Sequence, residues 1–215
     1  MFTVSNINKA YGRKIVLNNI NFTVKPGECI GLLGVNGSGK STLLNILASG
    51  AKADSGSCSF DSPNKTVSFL PQENPLIEEL TGLDNIKLWY RGKHVTEQII
   101  RSSEIIKRMG VDAFLNLKVR KMSGGMKKRL SLAIALINSP ELLLLDEPLA
   151  ALDILCKKEI LGYVSDYASS GGSVVIATHE ESALNICSSI YILKNGTLIP
   201  AENKNTERLI ACLND

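Results

Sequence analysis

The run Gly34, Val35, Asn36, Gly37, Ser38, Gly39, Lys40, Ser41, Thr42 sets glycines, one ammonium and several hydroxyls between two apolar stretches. That order of residue types suits a loop that holds phosphate. Upstream, Cys29–Leu33 reads as a buried parallel strand ending at Gly34. Gly34, Gly37 and Gly39 then permit backbone angles that a Cβ would forbid, so successive N–H groups can turn inward on phosphate oxygens. Lys40 adds a positive charge, and a helix is expected from it through Leu43, Leu44, Ile46 and Leu47, with its unpaired N-terminal N–H groups facing the anion. Ser41 offers a hydroxyl to magnesium. The pattern implies a nucleoside triphosphate bound by Asn36, Gly37, Ser38, Gly39, Lys40, Ser41 and Thr42.

A second constellation supplies carboxylates. Leu142, Leu143, Leu144 and Leu145 form an apolar strand that runs into Asp146, Glu147 and Pro148 at the edge where a parallel sheet places its ligands. Asp146 is suited to hold magnesium, through water, and Glu147 beside it to polarise an attacking water as general base. A third constellation, Met122, Ser123, Gly124, Gly125, Met126, opens a helix with Ser123 as N-cap. A cap alone does not require Gly124 and Gly125, each of which weakens a helix by about 1 kcal/mol relative to alanine. Close approach of some group to that backbone is therefore expected, as at a second anion cradle.

The rest of the chain must position these groups. At 215 residues it fits one large domain or a domain with an inserted lobe. Net charge is +3 and the sequence pI near 8.5, below the pI of about 9 that marks a nucleic-acid footprint. Cys29, Cys58, Cys156, Cys187 and Cys212 are scattered and form no C-x-x-C pair, which argues against a disulfide framework or a zinc site and fits a reducing compartment. No segment reaches the roughly 20 apolar residues of a membrane span and no signal sequence opens the chain, so a soluble protein is expected. Short β-like stretches at 2–5, 21–24 and 57–60 suggest a small antiparallel lobe. Ser173, Val174, Val175, Ile176 and Ala177 give another buried strand, and the core reads as doubly wound α/β. Between Thr81 and Ser139 helical spacing takes over, in Ile99, Ile105, Ile106, Met109 and again in Met126, Leu130, Ala133, Ile137. An inserted helical lobe is expected there. Asn195, Gly196, Thr197 and Leu198 read as a last hairpin before a short helix around 207–213.

The phosphate loop, the Ser-Gly-Gly helix start, the four leucines with Asp-Glu-Pro and the later Thr178-His179 together resemble the ATP-binding cassette ATPases over nearly the whole chain. The resemblance implies a P-loop core with a mostly parallel sheet, an N-terminal antiparallel β lobe and an inserted α-helical lobe, as one domain: 1–80 and 136–215 carry the β lobe and core, and 81–135 the lobe with the signature segment. It implies ATP and Mg2+ as ligands. It also implies head-to-tail pairing, with Ser123, Gly124 and Gly125 of one subunit closing over the γ-phosphate held by the other, so neither subunit alone has a complete site. By the same resemblance Gln72 reaches the magnesium and the water and relays to a partner, His179 contacts the γ-phosphate and steadies the water, and Tyr11 stacks on adenine. An exposed loop tyrosine remains the alternative for Tyr11. Asp153 matches the loop that crosses the dimer interface and is equally suited to N-cap the next helix.

Met122 and Met126 stand where leucine and glutamine are usual in the signature, and no serine precedes Asp153 in the place where one is often found. Met126 followed by Lys127, Lys128 and Arg129 resembles the ATPase subunits of drug, haem and peptide exporters. The basic group Lys118, Arg120, Lys121, Lys127, Lys128, Arg129 reads as a solvated face, not a nucleic-acid surface. Trp89 and Tyr90 either pack the helical lobe or line a groove for a membrane partner. The expected function is an ATP hydrolase subunit, cytoplasmic and peripheral on the membrane. It would act as a homodimer, or as a heterodimer with a second cassette, and drive a separate transmembrane permease with no direct nucleic-acid contact. The alternative is a soluble cassette ATPase acting on ribosomes or DNA ends, which usually carries two cassettes or a long coiled-coil insertion absent here.

Overall fold

The computed structural model describes residues 1–92 and 94–201; the expected helix at 207–213 and Cys212 lie outside them. Alternation of buried and open side chains builds the first sheet. β1 (Phe2–Tyr11) buries Phe2, Val4 and Ile7, and β2 (Lys14–Val24) buries Leu17, Ile20, Phe22 and Val24. They join through Gly12 and Arg13, which places Lys14 directly opposite Tyr11. β3 (Cys29–Leu33) is buried at every residue and leads through the phosphate loop into α1 (Lys40–Leu47). β4 (Ser55–Phe60) returns to pair antiparallel with β1, completing the three-stranded lobe in the order β2-β1-β4. The strands are longer than the sequence signals at 2–5, 21–24 and 57–60.

β5 (Val67–Leu70) opens the second half, followed by α2 (Gly82–Trp89), α3 (Glu97–Ser102), α4 (Glu104–Arg108) and α5 (Gly124–Leu136). Then come β6 (Leu142–Asp146), α6 (Ile154–Ser169), β7 (Ser173–Ala177), α7 (Glu181–Asn185), β8 (Ser189–Lys194) and β9 (Thr197–Pro200). The larger sheet runs β5-β6-β7-β3-β8-β9. It is parallel except for the β8–β9 hairpin, which bears out the expected turn at Asn195 and Gly196.

Period-two geometry divides each central strand between two cores. Leu142, Leu144 and Val175 pack with Leu43, Leu44 and Leu47 of α1 and with the first sheet. Leu143, Leu145, Val174 and Ile176 pack instead with Leu132 of α5 and with Ile160 and Val164 of α6. Both faces of the sheet are covered, hence four consecutive leucines where a half-exposed strand would alternate.

Two helical readings need correction. The spacing from Ile99 to Met109 belongs to two helices, because Ser103 adopts φ −58° and ψ 128° and breaks the ladder between α3 and α4. Ile100 rather than Ile99 then turns into the core, with Ile106 and Met109, and Ile99 stays 39% exposed. Trp89 is 53% exposed and so does not pack the lobe.

Leu144 is fully buried between α1 and the sheet. Leu144→Ala is expected to lower the free energy of unfolding by about 2–5 kcal/mol, read from urea denaturation of the nucleotide-free chain.

Candidate functional site: a phosphate loop facing two carboxylates

The loop after β3 is shaped by contacts a Cβ would break. Gly39 N-caps α1 at φ 108°, and a Cβ there would stand 2.8 Å from Val16 Cγ1 on β2. Gly37 is also left-handed, at φ 78°. Gly34 differs from the sequence expectation: its φ is not positive, and glycine is required because a Cβ would meet Ser38 Oγ at 2.5 Å and the Leu193 carbonyl oxygen at 2.7 Å. No side chain caps α1, so its first N–H groups remain available to an anion.

Lys40 is 7% exposed and donates to the Gly34 carbonyl at 2.7 Å and the Val35 carbonyl at 3.3 Å. Burial lowers its pKa, against the opposing pull of Glu147 and Asp146. Asp146 is 4% exposed. Burial raises its pKa, Glu147 adds to the rise, and the Ser41 hydroxyl bond with the charges of Lys40 and Lys128 works the other way. The Asp146 Oδ1 atom is buried with no hydrogen-bond partner. An orphaned carboxylate oxygen beside the Ser41 hydroxyl and Gln72 fits a small hard cation that keeps part of its water shell.

Glu147 follows β6 with φ 44°, its N–H bonded to the Ala177 carbonyl at 2.9 Å. Its Oε1 lies 2.9 Å from His179 Nδ1. A carboxylate only accepts, so with Glu147 ionised the imidazole donates from Nδ1.

Tyr11, Asn36, Gly37, Gly39, Lys40, Ser41, Thr42, Gln72, Asp146 and Glu147 line one cleft of 490 Å³. Ser38 lies in the same loop, its hydroxyl turned toward Gly34. Lys14 and Val16 also line the cleft, and the sequence reading missed both. The signal for Lys14 was the two-residue turn that sets it opposite Tyr11. Tyr11 is 56% exposed, with the Lys9 ammonium over its ring at 5.3 Å from the centroid.

Ser123, Gly124 and Gly125 are absent from that cleft. Ser123 caps α5 by accepting from the Met126 N–H at 3.2 Å. Gly124 faces open space, where a Cβ would touch nothing within 4 Å, and lines a separate cleft with Gln72, Lys128 and Ala151. Gly125 is approached within its own chain: a Cβ there would sit 3.1 Å from Cys156 Sγ. Asp153 N-caps α6, accepting from the Cys156 N–H at 3.0 Å. The basic group is not one solvated face. Lys118, Arg120 and Lys121 are exposed, whereas Lys127 pairs with Glu78, Arg129 lies over the Phe114 ring, and Lys128 is buried.

A buried strand, a glycine loop whose lysine faces two carboxylates, and a separate glycine-led helix define a P-loop ATPase of the cassette type. The ABC transporter family profile matches residues 17–150, and the chain belongs to that family. It is 35% identical to the aliphatic sulfonates import ATP-binding protein SsuB 1 of Shouchella clausii, over 96% of this chain and 82% of that protein. It is 32% identical to the Nod factor export ATP-binding protein I of Rhizobium etli, over 97% of this chain and 70% of that one. The dimeric post-hydrolysis structure of an ATP-binding cassette bound to ADP and Pi superposes with TM-score 0.82 at 30% identity, covering 92% of this chain and 96% of that one. The protein is an ATP-binding, ATP-hydrolysing subunit of the ABC transporter class. Members of the class dimerise and work with membrane partners, and among the described residues no helix is long and apolar enough to cross a membrane.

Gly39→Ala places a Cβ in a left-handed backbone against Val16. It is expected to cost about 1–3 kcal/mol of apo stability in thermal unfolding, with loss of binding to a fluorescent ATP analogue.

Proposed function

We propose that two copies of this chain, or this chain and a second cassette, close head to tail on ATP at the cytoplasmic face of a membrane and drive a separate permease. The observation that carries this reading is the separation of Gly124 from the phosphate loop into a different cleft. A glycine-led helix start that faces open space is placed to receive the γ-phosphate of a nucleotide held by another subunit.

In this reading the loop from Asn36 to Thr42 holds the phosphates, Lys40 neutralises them, and Tyr11 stacks on the base. Ser41, Asp146 and Gln72 hold Mg2+, which when bound draws charge from the phosphate oxygens. Glu147 accepts the proton of the attacking water as that water's oxygen bonds to the γ-phosphorus and the bond to ADP breaks. His179, bonded to Glu147, orients the carboxylate and the γ-phosphate. Residues 81–135 act as the inserted lobe that transmits closure, with exposed Trp89 and Leu88 on the surface offered to the permease. Export is the favoured direction, supported by Met126 with the basic residues after it, although the relatives include both an import and an export protein.

Glu147→Gln is expected to lower turnover by about 10²- to 10⁴-fold while sparing ATP binding. Size-exclusion chromatography in ATP and magnesium should then trap a dimer that the parent chain hydrolyses away. Full-rate hydrolysis by the variant would remove Glu147 from the role of base, and a variant that binds ATP yet stays monomeric would count against the head-to-tail pairing.

A further inference from the structure

Lys128 belongs to α5, five residues past Ser123, and is 3% exposed. Its Nζ donates to the Gln72 carbonyl oxygen at 3.2 Å, and among the described residues no carboxylate is paired with it. Burial disfavours its charged form, and the charge of Asp146 acts the other way. A buried ammonium costs free energy unless its partners need it. Packing does not need it, since Leu130, Leu132 and Ala133 of the same helix are buried apolar side chains. The partner that needs it is the backbone just after β5, whose carbonyl would otherwise lose this donor at the point where the chain turns to present the Gln72 side chain to the cleft.

We propose that Lys128 is a positioning residue for Gln72, tying the loop that carries the glutamine to the helix that begins with the signature glycines. It touches no substrate atom and acts through the loop. One side chain thereby ties Gln72, which lines both the phosphate cleft and the second cleft, to the helix headed by Gly124, which lines only the second. The inference rests on the role given above to Gln72.

The test compares Lys128→Met, which removes the donor, with Lys128→Gln, which keeps one without the charge, each in the parent chain and in a Gln72→Ala background. Lys128→Met is expected to lower kcat about 10- to 100-fold, the usual effect of losing a group that orients a ligand from behind, with the KM for ATP held within about twofold. Lys128→Gln should recover most of the rate. In the Gln72→Ala background Lys128→Met should cause no further loss, because the two residues act as one unit. Hydrogen–deuterium exchange of the nucleotide-free chain should show residues 72–76 exchanging faster in Lys128→Met and unchanged in Lys128→Gln. Parent-like turnover and exchange in Lys128→Met, or a loss that adds to that of Gln72→Ala, overturns the proposal. If Lys128→Met fails to fold, a folded Lys128→Gln that is tenfold slower or more overturns it equally. Gln72→Ala with undiminished turnover removes the role of Gln72 itself, whereas a slow Gln72→Ala beside a silent Lys128→Met removes only the positioning by Lys128.

Discussion

A parallel sheet delivers every strand's carboxyl end to the same edge, and the site of this protein depends on that constraint. Ala177 at the end of β7 is paired with Leu32 on one side and Asp146 on the other, so the loop after β3, the carboxylates after β6 and the histidine after β7 emerge together. Leu70 of β5 pairs with Leu145, which brings Gln72 to the same edge two residues later. Register is held by burial on both faces: a slip of one residue would turn Leu142 and Leu144 out of the core shared with α1 and carry Asp146 away from Lys40. Chemistry and hydrophobic packing are thus fixed by one set of strand pairings.

The charges gathered at that edge are costly when no nucleotide is present. Lys40, Asp146 and Glu147 are all buried, and the lysine is satisfied by loop carbonyls while one oxygen of Asp146 has no partner. Burial disfavours the ionised forms of both Lys40 and Asp146. Such a site holds binding energy in reserve, because the phosphate oxygens of ATP supply partners that the protein withholds from Lys40.

Much of this was legible in the sequence, because the phosphate loop and the Asp-Glu pair are local patterns in which residue type and spacing already state the chemistry. The three central strands announced themselves by being apolar throughout. β5 and β8 did not: Val67, Ser68 and Phe69 are only half-buried, and Ser189, Tyr191 and Lys194 interrupt the apolar signal of β8. Lys128 was hidden for a different reason. In the sequence it is one basic residue of three, and only the packing of α5 against the loop after β5 distinguishes it from Lys127, which reaches out to Glu78. Gly34 was legible as a required glycine but not for its reason, since part of the crowding comes from Leu193, on a strand more than 150 residues away.

The contact between Gly125 and Cys156 has a mechanical meaning. A sulfur seated where a methyl group would fit only tightly joins the first turn of α5 to the first turn of α6. Each of those turns begins with its own side-chain cap, Ser123 on one and Asp153 on the other. The two helix heads therefore cannot slide past each other without opening that contact. A displacement of the signature segment would therefore be felt at the Asp153 cap through that one sulfur, a short lever between two helix starts.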